Sequence, residues 1–285
     1  MTLTTLLISL ILISSGSPHV PGYDQKMTAG EVIDQMKAHV TCDWSKETVD
    51  TFKTGDPGDV VTGIACTFTA TMDVLKEAAA RGCNLIITHE PTFYNHLDSY
   101  ENLENDPAYQ AKQAFIREHN MIIFRFHDHW HRTSPDGIYV GMINKLQWEP
   151  YLVDGTHNVF DLPQSTLKEV EETLEGIFPD ANLRVIGDPN LVIDKTEFLA
   201  GAPGSITHIS ALQKSDVNLI VIGEAREWET IEYVRDASQA GMPKAVIILG
   251  HAVSEEAGMD YCAAWMRSFI EGIPIHFIPA GDPFQ

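Results

Sequence analysis

Positive charge is scarce in this chain. Of its 285 residues, 19 are Lys or Arg against 40 Asp or Glu, a formal net charge of −21. The basic residues nowhere form a run, so nucleic acid or an anionic membrane surface is excluded as principal partner, because a polyanion is repelled. Long apolar runs are missing too. The longest stretch near the start, Leu6 to Ile13 with Ser9 inside it, falls short of the ~20 residues that cross a bilayer. Only four cysteines occur, Cys42, Cys66, Cys83 and Cys262, and no pair has the spacing of a thiolate zinc site or a redox dithiol. Cys66 and Cys83 sit in apolar surroundings and read as small buried hydrophobes. In an exported chain one disulfide would be open to them, with a pairing the sequence does not reveal. A phosphate-cradling Gly-rich loop and a dinucleotide fingerprint are both absent.

What is present is a globular composition, 44% hydrophobic and 9% aromatic, which excludes a disordered chain and suits one large or two small domains. Twelve His in so acidic a chain supply raw material for holding cations. No charged side chain precedes Asp24. The short apolar core, followed by Ser14-Ser15-Gly16-Ser17 and Pro18, has the form of a secretory signal over residues 1–22, cut near Gly16 or Ser17. Export to the periplasm or beyond is the expectation, although the early Lys or Arg of such signals is lacking. A chain whose first segment is not a signal would be cytoplasmic. With no Cys before Cys42, neither a lipid anchor nor any other stable membrane anchor is expected.

Apolar periodicity predicts helices over 28–39, 71–80, 113–118, 228–240 and 255–270. A capping box at Thr166 to Glu169 opens another helix, which Pro179 stops. Strands are expected at 60–67, 85–88, 121–124, 183–186, 191–198, 217–222, 245–249 and 275–278. Buried strands alternating with helices read as βαβ units of an α/β fold with mainly parallel central strands. The expected division is a first lobe from 26–149 with 251–285, and a smaller second lobe over 150–250.

Ligands of parallel α/β sheets bind at the carboxyl ends of strands. After 85–88 come His89-Glu90-Pro91, and after 121–126 come His127-Asp128-His129-Trp130-His131. Gly223-Glu224 follows 217–222, and Gly250-His251 with Ser254-Glu255-Glu256 follows 245–249. Each piece alone is ordinary: a strand-end His is more often a capped or solvated surface residue. Four such ends together form a constellation of imidazoles and carboxylates without thiolates, the donor mix of zinc, manganese or non-haem iron. Read as extended chain, His127, His129 and His131 would share one side. His251 and Glu255 would converge across a strand-to-helix turn. Arg125, Arg132 and Arg226 are candidates for an anionic group, though each fits an ordinary surface charge better.

From Lys26 to Phe284 the sequence resembles the Nif-three-like dinuclear-metal hexameric proteins, some of which are known as GTP cyclohydrolase type 2 homologues. The resemblance rests on Gly82-Cys-Asn-Leu-Ile-Ile-Thr-His-Glu-Pro91, Phe126-His127 to His131, Val217 to Glu224, and Gly250-His-Ala-Val-Ser-Glu255. Two departures stand out. Glu90 occupies the place of a second adjacent His, so a more oxygen-rich coordination is expected, and His131 stands where the family carries Asp. The resemblance implies two similar lobes, a cleft holding two ions, and a homo-oligomer, a hexamer. It implies His89, Glu90, His127, His131, His251 and Glu255 as metal ligands, with Glu255 best placed to bridge. Glu224 and Asp128 would then orient imidazoles or take up a proton.

The leading functional expectation is a metal-dependent hydrolase of a small molecule, acting through a metal-activated water. The alternative from another class is a non-catalytic metal-binding or metal-delivery protein. A metallo-β-lactamase pattern is disfavoured because Trp130 stands where an Asp is needed. A barrel amidohydrolase would need about eight βα units, more than the chain offers.

Overall fold

The computed structural model describes residues 26–284; the signal expected over 1–22 lies outside them. Strands β1 (Phe52–Thr54), β2 (Ile64–Thr67), β3 (Leu85–Thr88) and β4 (Ile122–Arg125) alternate with helices α1 (Ala29–His39), α2 (Met72–Ala80) and α3 (Pro107–Glu118). A short helix α4 (Asp128–Arg132) and helix α5 (Gly137–Leu146) follow. Next come β5 (Val159–Phe160), β6 (Ser165–Thr166), α6 (Leu167–Ile177), β7 (Arg184–Ile186), β8 (Val192–Ile193) and β9 (Lys195–Leu199). The chain closes with α7 (Ser205–Leu212), β10 (Val217–Ile222), α8 (Glu232–Gln239), β11 (Ala245–Ile248), α9 (His251–Arg267) and β12 (Ile275–Phe277).

Two five-stranded sheets result, ordered β1-β4-β3-β2-β12 and β5-β9-β10-β11-β7, beside a β6-β8 pair. Both are mixed. Central pairs run parallel, while β1, β5 and β7 join antiparallel at the edges. Every residue of β2, β3, β4, β10 and β11 is buried, which explains their mostly apolar character: each has helices or loops on both faces. One face of the first sheet (Ala65, Ile86, Ile123) packs on Val74, Leu75 and Ile116 of α2 and α3. The outer face of the second (Ile220, Ile222, Val246) meets Leu212 and Val234 of α7 and α8. The remaining faces share one core with α1, α5, α6 and α9. Each large aliphatic side chain fully buried there contributes about 1.5–3 kcal/mol.

Helix ends follow their capping residues. Thr28/Glu31 and Thr166/Glu169 form reciprocal capping boxes, and Asp106 caps α3 ahead of Pro107. Three expectations need correction. Helix α9 begins at His251 rather than at 255, because Gly250, at φ 98°, turns the chain from β11 directly into the helix. The strand expected over 191–198 is broken at Asp194, where the backbone N–H bonds to Asn218 Oδ1. Helix α5 was not expected, since Gly137 and Gly141 depress helix propensity. Contact requires both: a Cβ on Gly137 would strike the Trp130 ring, and one on Gly141 would strike α9 at Ala257 and Gly258.

Candidate metal centre

Register decides what meets at the strand ends. Thr67, Thr88 and Arg125 are level across β2, β3 and β4, as are Ile222 and Ile248 across β10 and β11. The residues that follow therefore emerge side by side. His89 leaves β3, His127 leaves β4, and His251 and Glu255 stand one turn apart on α9.

The six residues expected as ligands come together. Glu255 Oε2 lies 3.4 Å from His89 Nε2 and 3.2 Å from His251 Nε2, and Glu255 Oε1 is 4.0 Å from His131 Nε2. Glu90 Oε1 lies 3.5 Å from His127 Nε2 and 3.7 Å from His251 Nε2. Two groups, His89/His127/His131 and His89/Glu90/Glu255, each bring three donor atoms within 4.8 Å of one another. His89 belongs to both. Gly201, at φ 64°, closes the floor, where any Cβ would collide with Glu255 Oε1.

Every imidazole is held from behind. His89 Nδ1 meets the Phe126 carbonyl at 3.2 Å, His127 Nδ1 meets Asp128 Oδ1 at 2.9 Å, and His131 Nδ1 meets Asp136 Oδ2 at 3.0 Å. His251 Nδ1 is 3.4 Å from Glu224 Oε2. A carbonyl or carboxylate can only accept, so Nδ1 carries a proton in each ring, and wherever the ring is neutral the Nε2 lone pair turns inward. That is the arrangement by which metal-binding imidazoles are oriented.

Burial, reinforced by the nearby His131 and His127 rings, holds the His89 imidazole well below its ordinary pKa. The ring is therefore neutral, and its bare Nε2 faces a Glu255 oxygen. Among the described residues, both His89 Nε2 and Glu255 Oε2 are buried without a hydrogen-bond partner. Two acceptors facing each other in a dry site repel, and leaving buried polar atoms unsatisfied costs about 1–3 kcal/mol each. A cation between them removes the conflict, so these residues fit a metal.

The remaining shifts share this origin. Burial pushes Glu90 up to about 7 despite His251 and Arg125. Burial lowers His251, but the Glu224 and Glu255 carboxylates outweigh it and raise the ring to about 10. Burial also opposes ionisation of Asp128, yet contacts from His127, Thr48 and Val49 bring it down to about 2. Burial lowers His131, and Asp136 reverses the sign.

Several sequence readings are corrected here. Residues 128–132 form a helical turn, so His127 and His131 share a face and His129 does not. His129 is fully buried on the far side, with Nδ1 2.6 Å from Asp50 Oδ2 and Nε2 accepting from Ser45 N. Arg125 is no surface charge; it is fully buried. Arg132 is exposed, and Arg226 pairs with Glu229. Glu256 is engaged elsewhere, accepting from the backbone of Ala280 and Gly281. The six residues comprise four imidazoles and two carboxylates. Exchanging His for Glu at 90 and Asp for His at 131 cancels in that count, so the set is not oxygen-enriched.

Sequence reasoning missed Asp136 and Asp50. Asp136 caps α5 through Ile138 N and Tyr139 N while its other oxygen backs His131. Its only sequence signal was Asp ahead of a helix start. Asp50 accepts from the backbone N–H groups of His127, Asp128 and His129 and so fixes α4. Beside the cluster opens a cavity of about 830 Å³, bordered by Glu90, His251, Glu224, Tyr94, His96 and Trp228.

Comparison with known proteins gives the family and the fold. The family model Duf34/NIF3 (NGG1p interacting factor 3) matches residues 27–283. A GTP cyclohydrolase 1 type 2 homolog of Clostridium acetobutylicum is 26% identical over 212 residues, covering 70% of this chain and 75% of its own. One from Clostridium perfringens is 23% identical over 244 residues, covering 81% and 88%. Among solved structures, a Staphylococcus aureus hypothetical protein superposes with a TM-score of 0.71 at 16% identity, covering 91% of this chain and 99% of its own. A Bacillus cereus protein related to NIF3 gives 0.71 at 14% identity, with the same coverage. These two show a shared fold. With the family model spanning nearly all described residues, the chain belongs to the DUF34/NIF3 family.

Proposed function

We propose that this protein is a dinuclear metal-dependent hydrolase of a small molecule. The observation that carries the reading is the buried, unpartnered His89 Nε2, 3.4 Å from Glu255 Oε2, in a cluster where His89, Glu90 and Glu255, and likewise His89, His127 and His131, bring their donor atoms within 4.8 Å of one another. His89, His127 and His131 would serve one ion and Glu90, His251 and Glu255 the other, with Glu255 between them. Divalent ions held there, zinc, manganese or iron, would supply Lewis acidity for activating water and polarising a substrate oxygen.

The chain's own residues do the rest. Asp128, Asp136, Glu224 and the Phe126 carbonyl hold the imidazoles in the ligating tautomer. Both oxygens of Asp128 are engaged, Oδ1 by His127 and Oδ2 by Thr48 Oγ1 and Val49 N. The proton-accepting role therefore falls to Glu224, which is 56% exposed and borders the cavity. The name carried by the two clostridial relatives supports hydrolytic chemistry on a small molecule. We place the cleft between two lobes, 26–149 with 251–285 and 150–250, in an exported homo-oligomer, a hexamer.

Replacing His251 and Glu255 together by Ala tests the reading. Loss of both bound metal and hydrolysis is expected; full metal content in that variant would overturn it. The partial exposure of His127 and His251 also suits a metal-delivery protein. Exchange separates the two: a carrier releases its ions to a chelator within minutes, whereas a hydrolase retains them and turns substrate over.

A further inference from the structure

Arg125 is the largest fully buried charged side chain among the described residues, and a guanidinium in that position must be compensated. It ends β4, one residue before the strand gives way to His127. Every face of its fork is used. Nε donates to the His89 carbonyl at 3.0 Å, Nη1 donates to the His96 carbonyl, and Nη2 lies 3.3 Å from Glu90 Oε2. With each nitrogen already bonded to the protein and the side chain fully buried, no substrate anion reaches it, so the role of anion receptor is closed to it.

Its charge belongs to a buried line of alternating sign. Lys53 Nζ lies 3.4 Å from Asp98 Oδ2, which is 3.9 Å from Arg125 Nη1. Glu90 follows, and its other oxygen faces His127 and His251. Asp98 is anchored in turn by accepting from Phe93 N at 2.8 Å. The line runs from the sheet edge to the metal cluster with two cations and two anions.

We propose that Arg125 is a positioning residue that fixes Glu90 as a one-oxygen ligand, an inference that rests on the metal reading above. By occupying Oε2, the guanidinium leaves Oε1 alone to face the cluster. By bonding the His89 carbonyl, it ties the backbone of His89 to the same side chain that aims Glu90. One residue thus sets the separation of two adjacent donors. Arginine suits the task because its planar fork can hold three acceptors in fixed directions, which a lysine ammonium cannot.

The test is a cobalt(II) titration of the full chain, followed by visible absorbance and by metal content after gel filtration. Four proteins are compared: wild type, Arg125→Met, Glu90→Ala and the double variant. Arg125→Met is expected to weaken cobalt binding about tenfold or more, the range typical for residues that orient ligands. It should also change the d–d band shape. In the Glu90→Ala background the same substitution should cost clearly less, only what the contact with the His89 carbonyl contributes. Arg125→Lys keeps the charge without the fork; it should lose nearly as much affinity as Arg125→Met, and it covers the case in which the Met variant does not fold. Arg125 variants that bind like wild type would overturn the proposal. An equal loss with and without Glu90 would do so too, since it would mark general support of the fold. A wild-type chain that takes up no cobalt would overturn the metal reading itself, which is a separate result.

Discussion

His89 and His129 are both fully buried, both follow the end of a strand in the first sheet, and both are held at Nδ1. They differ at Nε2. That of His129 accepts from Ser45 N at 2.9 Å, and the ring stacks on Trp44 at 3.7 Å. That of His89 has no hydrogen-bond partner and points at Glu255 and two other imidazoles. A satisfied buried imidazole stabilises the fold. An unsatisfied one, backed by an acceptor and aimed at other donors, costs stability until a cation arrives. The contrast separates a structural histidine from a candidate ligand without reference to either residue's sequence neighbours.

The largest effect should come from breaking the pair on the His89 side. His89→Ala is expected to lower zinc affinity by more than about a hundredfold, beyond what loss of an orienting partner costs. Its metal-free stability should fall by less than that of His129→Ala, since removal of an unsatisfied atom offsets the cavity and the lost Phe126 contact. His129→Ala should do the reverse: near-normal metal content in the folded fraction, with about 3 kcal/mol of stability lost as Asp50 loses a buried partner. Competition with a chelator and denaturant melts read the two effects separately.

Asp136→Ala tests the backing groups. About tenfold weaker metal binding is expected from a freed His131 ring, with about 1 kcal/mol of stability lost through the α5 cap. An Asn at 136 should rescue the cap but not the affinity.

A smaller effect concerns protons. In the metal-free protein His251 titrates near 10 and Glu90 near 7, so at neutral pH the ring is charged and some Glu90 is protonated. Both must shed protons to ligate, so loading should release about one proton or more per chain, and affinity should rise with pH up to about 10. The stability of the metal-free fold runs the other way with pH. A His raised in the folded state stabilises it below the unfolded pKa, and this contribution is lost as pH climbs towards 10. Glu90, raised as well, favours the folded state in acid; below pH 7 the two groups act in the same direction. A pH-indicator titration with zinc in weak buffer checks the release.

Much of this candidate site was legible because parallel βα units gather functional side chains at strand ends; His89, His127 and His251 are picked out by that rule alone. The geometry of 127–131 was not legible. Five residues carry too little apolar periodicity to reveal a helical turn, and extended chain would have aligned the wrong histidine with its neighbours. Asp50 lies 77 residues from His127, and no local pattern links them. Arg125 was misread because charge in a sequence suggests solvent, while only the fold shows three acceptors converging on it. Helix α5 was hidden by the glycines that let it approach α9.

The most direct measurement is the metal content of the purified full chain, by elemental analysis after loading with zinc and removal of free ion. About two ions per chain are predicted for wild type and for His129→Ala, with at most a trace in His251→Ala/Glu255→Ala. A wild-type chain that emerges metal-free, or a double variant that keeps its full complement, would contradict the account.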